Sequence, residues 1–428
     1  MLFETSRYWF KGELAKVLIR PDLHFKFYGF TWVEELPEWA MLCVFALMVL
    51  SSAGVFLGAF YRTSAIVLFV TFTYSFLLEA TAYRNHWYLL ALLSLLMIFL
   101  PAQRAWSFDA KRRPAIARKI TPQWNIWLLQ FQIGVVYFFA GVAKIDADWL
   151  SGGSFLAIID SGSHSEGVAT FLKQSWVIGF FSWSGLLFDL TITFFLLWSR
   201  TRLFAFLAAA GFHLTNGLFL VDVGIFPWFM LLGSTVFFVP NWPRVIAHRI
   251  GLATEPTLPK TEFATPRGSP MQSRHLIIAL LALHVAIQIY LPLRQHMYPG
   301  NTSWTHEGHR WAWRMKLVPK TVTSIRVFTV DPDTGQTIEL NESLDRAVLP
   351  MQKERMGRQP DLLLQFAHDV HDKLQEKYGK DFPIYADVRV SMNREISQPL
   401  IDATVDLSKE TWTLGPASWI VPREKTRY

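Results

Sequence analysis

Eight long apolar stretches run through the first two thirds of this 428-residue chain. Most of them approach the ~20 residues that a helix needs to cross the hydrocarbon core of a bilayer. They are apolar on every face rather than along one stripe, which is the pattern of membrane-spanning helices. The sequence therefore predicts an all-α polytopic membrane bundle of about eight transmembrane helices, two of them short (86–101 and 223–240). The stretches lie at 37–60, 63–82, 86–101, 123–143, 178–199, 203–220, 223–240 and 274–294.

The composition agrees with a membrane protein. Charged residues make up 18% of the chain and hydrophobic residues 51%, whereas soluble domains carry about 25% charged residues. These proportions exclude a disordered chain, a collagen-like repeat and a soluble enzyme of average composition. The single cysteine, Cys43, excludes an internal disulfide, a Cys-rich zinc site and an iron–sulfur cluster.

The composition changes near residue 296. Beyond it charges become frequent and no long apolar run remains. We expect a transmembrane domain over 1–296 and a small extracytoplasmic α+β domain over 297–428. The elements predicted for the second domain are strands near 322–331 and 384–395, a turn at 331–335 and a helix over 360–378.

The basic residues predict the orientation of the bundle. Cytoplasmic loops of membrane proteins collect Lys and Arg, so the net charge of +7 requires no nucleic-acid partner. Threading the eight runs alternately puts the basic loops 102–122 and 241–273 on one side, which is then the cytoplasm. The second domain falls on the outer face, which is the periplasmic face if the membrane is a bacterial inner membrane.

Two further predictions depend on that threading. The segment 253–273, with several Pro and Thr residues, is predicted to be a cytoplasmic loop. Residues 1–36 fall outside without a signal sequence or a preceding helix, so we expect that a first spanning helix is missing from this chain.

Lys144 is the strongest candidate for chemistry. It stands in FFAGVAKIDADW, at the end of an apolar run and just before Asp146 and Asp148. It is either an interfacial lysine that reaches water or a lysine at a dry boundary. In a dry setting the amine loses hydration, which favours its neutral form and makes it available as a base. Asp146 and Asp148 should then face away from it.

Several polar residues lie within or at the ends of the other apolar runs. Asp189 is in mid-run, where a carboxylate is costly unless it is paired or protonated; it is either functional or a structural bond between helices. His213 and Asn216 are three residues apart on one helix face, and we expect His213 to bond to Asp189. Asn85 and His86 either line the cavity of Lys144 or cap a helix.

The sequence offers no metal or phosphate motif. It contains no HExxH pair, Walker loop, GxGxxG or GxSxG. His306 and His309 are three apart in an aromatic stretch, where we favour a packing role over metal binding.

The words RNHWYLL, AWSFDA, FFAGVAKIDADWL, LLFDL, FHLTNGLF, WAWRMK and VDLSKETW resemble, in order, the vitamin K-dependent gamma-glutamyl carboxylases. More narrowly, they are similar to the bacterial relatives with the horizontally transferred transmembrane domain. The resemblance implies an enzyme that oxygenates a reduced vitamin K-type naphthoquinone with O2 to its epoxide. The same enzyme adds CO2 to a glutamate of a peptide or protein substrate.

The family's base towards the quinol falls on Lys144. Asp189, His213 and Asn216 match family words that carry no known role. The animal enzymes have an Asn–His pair, implicated in handling the glutamyl carbanion, at the place where this chain has Gln103-Arg104. Two alternatives therefore stay open: a quinol epoxidase or oxygenase without carboxylation, and a non-enzymatic, membrane-anchored peptide-binding protein.

Overall fold

The computed structural model describes residues 18–19, 21–118, 120–162, 165–219, 224–251, 271–315, 320–393 and 395–424. Within these residues a helical part is followed by a part that contains a sheet. The helices of the first part are α1 Glu38–Leu57, α2 Tyr61–Leu78, α3 Asn85–Phe99, α4 Phe108–Arg112, α5 Gln123–Val142, α6 Ala147–Leu150, α7 Gly153–Ser161, α8 Glu166–Leu172, α9 Ser175–Leu197, α10 Arg202–Phe219, α11 Phe226–Ser234, α12 Trp242–Arg249 and α13 Met271–Leu293.

A helix lies at each of the eight apolar runs. Five stretches are long and apolar enough to cross a membrane: α1, α2, α5, α9 and the segment His275–Met297, which includes most of α13. The helices at 85–99 and 226–237 are shorter, as their runs predicted. A helix of 15 residues rises only about 22 Å, less than the ~30 Å of a bilayer core. The described residues therefore contain five candidate spans rather than the eight predicted.

Helices α5 and α9 pack closely because glycines remove side chains between them. A Cβ added at Gly141 would lie 2.8 Å from the backbone nitrogen of Leu190, and one at Gly134 would lie 2.7 Å from the Thr193 methyl group. The two glycines are seven residues apart and so share one face of α5. This close approach brings the end of α5 beside the middle of α9.

The basic loops meet at one end of the bundle. Asp109 accepts hydrogen bonds from the backbone nitrogens of Phe60 (3.1 Å) and Tyr61 (2.8 Å), which ties the loop after α3 to the start of α2. The Arg244 guanidinium lies 5.7 Å from the Trp106 ring, so the segment after α11 joins the same end. This is the arrangement that alternate threading requires, although Lys119, Lys260 and Arg267 lie outside the described residues.

The second part is built on an antiparallel sheet of four strands in the order β2–β1–β3–β4, where β1 is Lys320–Val330, β2 Thr337–Glu339, β3 Ile384–Met392 and β4 Gln398–Pro399. Alternate residues of β3, from Ile384 to Met392, are buried, and so are Leu362 and Phe366 of the helix that packs on the sheet. The two predicted strands and the predicted helix over 360–378 are confirmed. The helices of this part are α14 Thr302–Thr305, α15 Asn341–Ala347, α16 Pro350–Arg358 and α17 Pro360–Tyr378.

Aromatic packing and polar bonds join the two parts. One hydrophobic core runs from the bundle into the sheet-containing part. Between them the Trp311 ring lies 4.7 Å from Tyr88 and 5.3 Å from Phe27. Gln352 of α16 donates to the buried Glu79 at 3.0 Å. The predicted boundary after residue 296 stays a prediction; α13 ends at Leu293 and a 3-10 turn follows to Met297.

The predicted cytoplasmic loop 253–273 lies mostly outside the described residues. Only its last residues are described, and there α13 already begins at Met271. The strand β2 and the helices α15 and α16 were not predicted. All three are short, and their apolar residues are too few to show a period.

Candidate active site around Lys144

Lys144 lies in the turn just after α5, and it is only 6% exposed. Its Nζ donates to Asp189 Oδ2 at 2.5 Å and to the backbone oxygen of Ala140 at 3.3 Å. The same nitrogen lies 5.2 Å from the centre of the Trp149 ring. Lys144 is therefore a buried lysine in an ion pair, not an interfacial lysine that reaches water.

The neighbouring carboxylates of the motif face away from Lys144. Asp146 accepts a hydrogen bond from Asn301 at 2.9 Å, and Asp148 pairs with Arg423 at 2.5 Å. Asp189 supplies the carboxylate instead, from the middle of α9. Asp146 and Asp148 face away as expected of a dry lysine, but the pairing with Asp189 was not predicted, because the α5–α9 packing brings together residues 45 positions apart.

The predicted bond between His213 and Asp189 is also wrong. His213 Nε2 lies 2.7 Å from the Tyr137 hydroxyl, and that hydroxyl lies 3.0 Å from Ser234 Oγ. Because Asp189 bonds to Lys144, His213 bonds to the Tyr137 hydroxyl instead. We call Tyr137, His213 and Ser234 the phenol triad; it joins α5, α10 and α11.

Tyr137 and Ser234 were not predicted as site residues. Tyr137 did carry a signal, since it is a polar-tipped residue seven positions before Lys144 and so lies on the same face of α5. Ser234 carried none, because serine is common in spanning helices, where it bonds to its own backbone. Here Ser234 Oγ donates to the Met230 oxygen at 2.8 Å.

Lys144, Asp189, His213 and Asn216 line one cavity of about 550 Å³. Most of the remaining lining is apolar or aromatic, including Trp149, Phe181 and Phe212. The short helices α7 and α8 cover one side of the cavity. Its volume is within the range of small-molecule sites.

Asn85 and His86 are not among the residues that line this cavity. Asn85 donates to the Arg314 oxygen at 2.6 Å and accepts from the Tyr83 hydroxyl at 3.0 Å. The His86 ring lies 6.2 Å from the ring of Phe226, which lines the Lys144 cavity. Both residues begin α3; Asn85 bonds to Arg314 of the segment 308–315, whereas His86 packs against Phe226 at the wall of the Lys144 cavity.

A second cavity of about 670 Å³ lies where the sheet-containing part meets α2 and α3. The segment 306–315 stands between the two cavities: His306 to Trp311 line the second, and Met315 lines the first. His306, Trp311 and Trp313 in this segment have positive φ angles, a conformation that is costly for bulky residues. The surrounding packing therefore holds this wall in its conformation.

His306 and His309 pack within this wall. His306 Nδ1 lies 3.0 Å from the Lys320 Nζ, and His309 Nδ1 bonds to the His306 oxygen. Burial, together with the charge of nearby Lys320 and Arg310, holds the pKa of both imidazoles well below the usual range. Across the described residues, no group of three or more His, Cys, Asp and Glu side chains could hold a metal ion.

Gln103 and Arg104 lie in a 3-10 turn, Ala102–Arg104, that follows α3. The oxygen of Arg104 accepts from the backbone of Arg118, five residues before α5 begins. Lys144 follows the other end of α5, about 30 Å away along a helix of 20 residues. The two positions are therefore at opposite ends of the bundle.

Comparison with known families assigns both parts of the chain. Residues 1–242 match the family model of the HTTM domain, and residues 273–426 match that of the vitamin K-dependent gamma-carboxylase lumenal domain. The chain belongs to the vitamin K-dependent gamma-carboxylase family. The two matches follow the order of the helical and sheet-containing parts of this gamma-carboxylase family member. No solved structure matches the chain significantly.

The family identifies a carboxylase-like membrane protein with a lumenal domain. It also implies a cofactor of the vitamin K type. The Lys144 cavity suits such a group, since it is largely apolar and has polar side chains at two places. Lys144 and Asp189 would hold the hydroxyl end of a naphthoquinol, and the aromatic walls would hold its rings.

Proposed function

We propose that this protein is an enzyme that carboxylates glutamate in a peptide or protein and oxygenates a reduced vitamin K-type naphthoquinone to its epoxide. Lys144 is the proposed catalytic base. The observation that carries the proposal is the buried Lys144–Asp189 pair, 2.5 Å long, which opens onto an apolar cavity within the bundle. O2 and CO2 are the proposed co-substrates, and no metal is required.

The ion pair changes how Lys144 would work as a base. Together the two side chains hold one acidic proton, and they have room for one more. The pair is neutral overall before it accepts a proton, so burying it costs less than burying either charge alone. We infer that Lys144 Nζ gives its bonded proton to Asp189 Oδ2 and takes a proton from the quinol hydroxyl in its place, so that the pair ends as an ammonium beside a neutral carboxyl group.

The cavity supports this chemistry physically. The bound naphthoquinol supplies the oxygen chemistry and the strong base that the γ-proton of glutamate demands. The protein excludes water with Phe181, Phe212 and Trp149, and in a dry site each electrostatic interaction is stronger than in water. Trp149 is itself fixed, because its Nε1 donates to the Ser182 oxygen at 2.8 Å.

The experiment incubates the purified full chain with reduced 2-methyl-1,4-naphthoquinone, O2, labelled CO2 and a Glu-containing peptide. A peptide with Gln in place of Glu is the substrate control. We expect both epoxide and labelled peptide, and we expect both to disappear in Lys144→Met. The matched variant Lys111→Met, which changes an exposed lysine at the other end of the bundle, should retain both. A folded wild-type protein that forms neither product would overturn the proposal in favour of a non-enzymatic peptide-binding role.

A quinol epoxidase without carboxylation is the second candidate. It is favoured by Gln103-Arg104, which stand where the animal enzymes have an Asn–His pair. In the same experiment this candidate predicts epoxide with no label in the peptide.

We also propose that α3, α10 and α11 cross the membrane with the five long helices, which gives eight spans. The sheet-containing domain, from about residue 297, would then lie on the periplasmic face of a bacterial inner membrane. Single cysteines introduced into a Cys43→Ser protein test this. A membrane-impermeant thiol reagent added to whole cells should reach a cysteine at position 333, in the turn between β1 and β2. It should not reach a cysteine at position 113, just after α4.

A further inference from the structure

The phenol triad presents a second polar group to the Lys144 cavity. Tyr137 and His213 both line the cavity. Tyr137 precedes Lys144 by seven residues, which is about 10 Å along α5. The polar side chains of the cavity therefore form two groups, one around Lys144 and one around Tyr137, on a single face of one helix.

A 1,4-hydroquinone has its two oxygens on opposite sides of one ring. The ring, together with a hydrogen bond of about 2.8 Å at each end, spans a distance similar to that between the two groups. Aromatic residues stand beside this path: Phe212 lines the cavity and stacks on Phe188 with ring centres 4.1 Å apart. The Tyr137 ring is held 5.9 Å from Phe188.

The direction of the hydrogen bonds within the triad follows from counting protons. A serine hydroxyl has one proton, and Ser234 donates its proton to the Met230 oxygen. Ser234 can therefore only accept from Tyr137, which uses the single proton of the phenol. His213 Nε2 must then carry a hydrogen and donate to Tyr137. In this arrangement the Tyr137 oxygen has one lone pair left and no proton to give.

We propose that Tyr137 binds the second hydroxyl of the reduced quinone as a hydrogen-bond acceptor, and that this makes the cavity selective for the reduced over the oxidised cofactor. The inference rests on the proposed function and adds a selectivity to the same site. A hydroquinone has an O–H at each end, so it can donate to Tyr137. The quinone and the epoxide product have only carbonyl oxygens at these positions. A carbonyl oxygen cannot donate to the Tyr137 oxygen, so two hydrogen-bond acceptors would face each other.

The selectivity has a consequence for the order of events. A buried acceptor that meets another acceptor loses its hydrogen bond and stays desolvated. The oxidised product is therefore bound more weakly than the reduced cofactor that replaces it. Tyr137 acts here as a positioning residue, because it transfers no proton in the proposed reaction.

The test measures binding and not turnover. Dissociation constants of 2-methyl-1,4-naphthoquinone and of its hydroquinone are determined under argon from quenching of tryptophan fluorescence in the full chain. We expect the hydroquinone to bind about tenfold more tightly to the wild-type protein. In Tyr137→Phe the ratio of the two constants should fall towards one.

Two variants separate an acceptor role from a structural one. Ser234→Ala keeps the phenol but removes the acceptor of its proton; Tyr137 can then donate to a quinone carbonyl, so the ratio should fall as it does in Tyr137→Phe. Tyr61→Phe removes a buried phenol that bonds to the Met97 oxygen at 2.7 Å, near the other end of the bundle, and should leave the ratio unchanged.

The outcomes are distinct. If both ligands bind the wild type but Tyr137→Phe keeps the tenfold ratio, the inference fails and the proposed function stands. If neither ligand binds the folded wild type, both fail. Should Tyr137→Phe not fold, the two monomethyl ethers of the hydroquinone replace it: each lacks one O–H, and ethers that bind the wild type as tightly as the hydroquinone would overturn the inference.

Discussion

Lys144 and Asp189 form an ion pair of 2.5 Å between the end of α5 and the middle of α9, and each residue is at most 6% exposed. The pair connects the packing of the bundle to its proposed chemistry. The two helices must approach closely for the side chains to meet, and the two charges must stay together for either to remain buried.

Removing one partner should destabilise the protein more than removing both. Asp189→Leu leaves a buried ammonium and Lys144→Met leaves a buried carboxylate, and each is expected to cost about 3 kcal/mol. The double variant Lys144→Met/Asp189→Leu should cost less than either single change. Unfolding of the purified protein in detergent, followed by circular dichroism, measures the three values. Additive costs would mean that the two side chains do not interact.

The glycine contact between α5 and α9 should control the same pair. Gly141→Ala places a methyl group 2.8 Å from the backbone of Leu190, so the helices must separate. We expect a loss of about 1–3 kcal/mol in stability and reduced epoxide formation. The control is Gly179→Ala in α9, where an added Cβ meets nothing within 4 Å and alanine favours the helix. Equal effects of the two changes would show that the close approach is unimportant.

The stability of the protein should fall as the pH drops below about 6.5. His306 and His309 have pKa values well below the usual range because burial disfavours their charged forms. Around pH 6 the unfolded chain binds protons at these imidazoles and the folded chain does not, so acid favours unfolding. Each such proton contributes a slope of about 1.4 kcal/mol per pH unit.

His306→Asn tests this origin. Asparagine tolerates the positive φ of 59° at this position and does not titrate. Denaturant midpoints between pH 5 and 8 should show a shallower slope for the variant than for the wild type. An identical slope would assign the acid sensitivity to other groups.

Arg423 should hold the sheet-containing domain to the bundle. It is 5% exposed at its side chain and pairs with both Asp148 (2.5 Å) and Glu395 (2.6 Å). Arg423→Gln leaves two partly buried carboxylates close together, and we expect a loss of about 2 kcal/mol. Limited proteolysis of the variant should cut faster between 297 and 315 than in the wild type. Arg346→Gln, which disturbs an exposed pair, should change nothing.

The sequence predicted the parts of the fold that depend on local pattern. Apolar runs of 16 to 24 residues mark helices directly, and the alternation in 384–392 marks a strand. It predicted that the helices at 86–101 and 223–240 are short, but it counted them and α10 as spans, whereas five stretches of the described residues are long and apolar enough to cross a membrane.

The sequence identified individual residues of the candidate site but not the contacts between them. Lys144, Asp189, His213 and Asn216 stood out as polar groups in apolar runs, and all four line one cavity. Their partners were not predictable, because each contact joins residues far apart in the sequence. The hydrogen bond from Asn85 to Arg314, for example, joins residues 229 positions apart, and no periodic pattern in the sequence indicates it.

The two carboxylates that follow Lys144 are both bonded to the sheet-containing domain, Asp146 through Asn301 and Asp148 through Arg423. The turn that carries the lysine is thus clamped from outside the bundle. We expect a ligand that displaces residues 301 or 423 to displace this turn as well, and so to change the geometry of the lysine and its carboxylate.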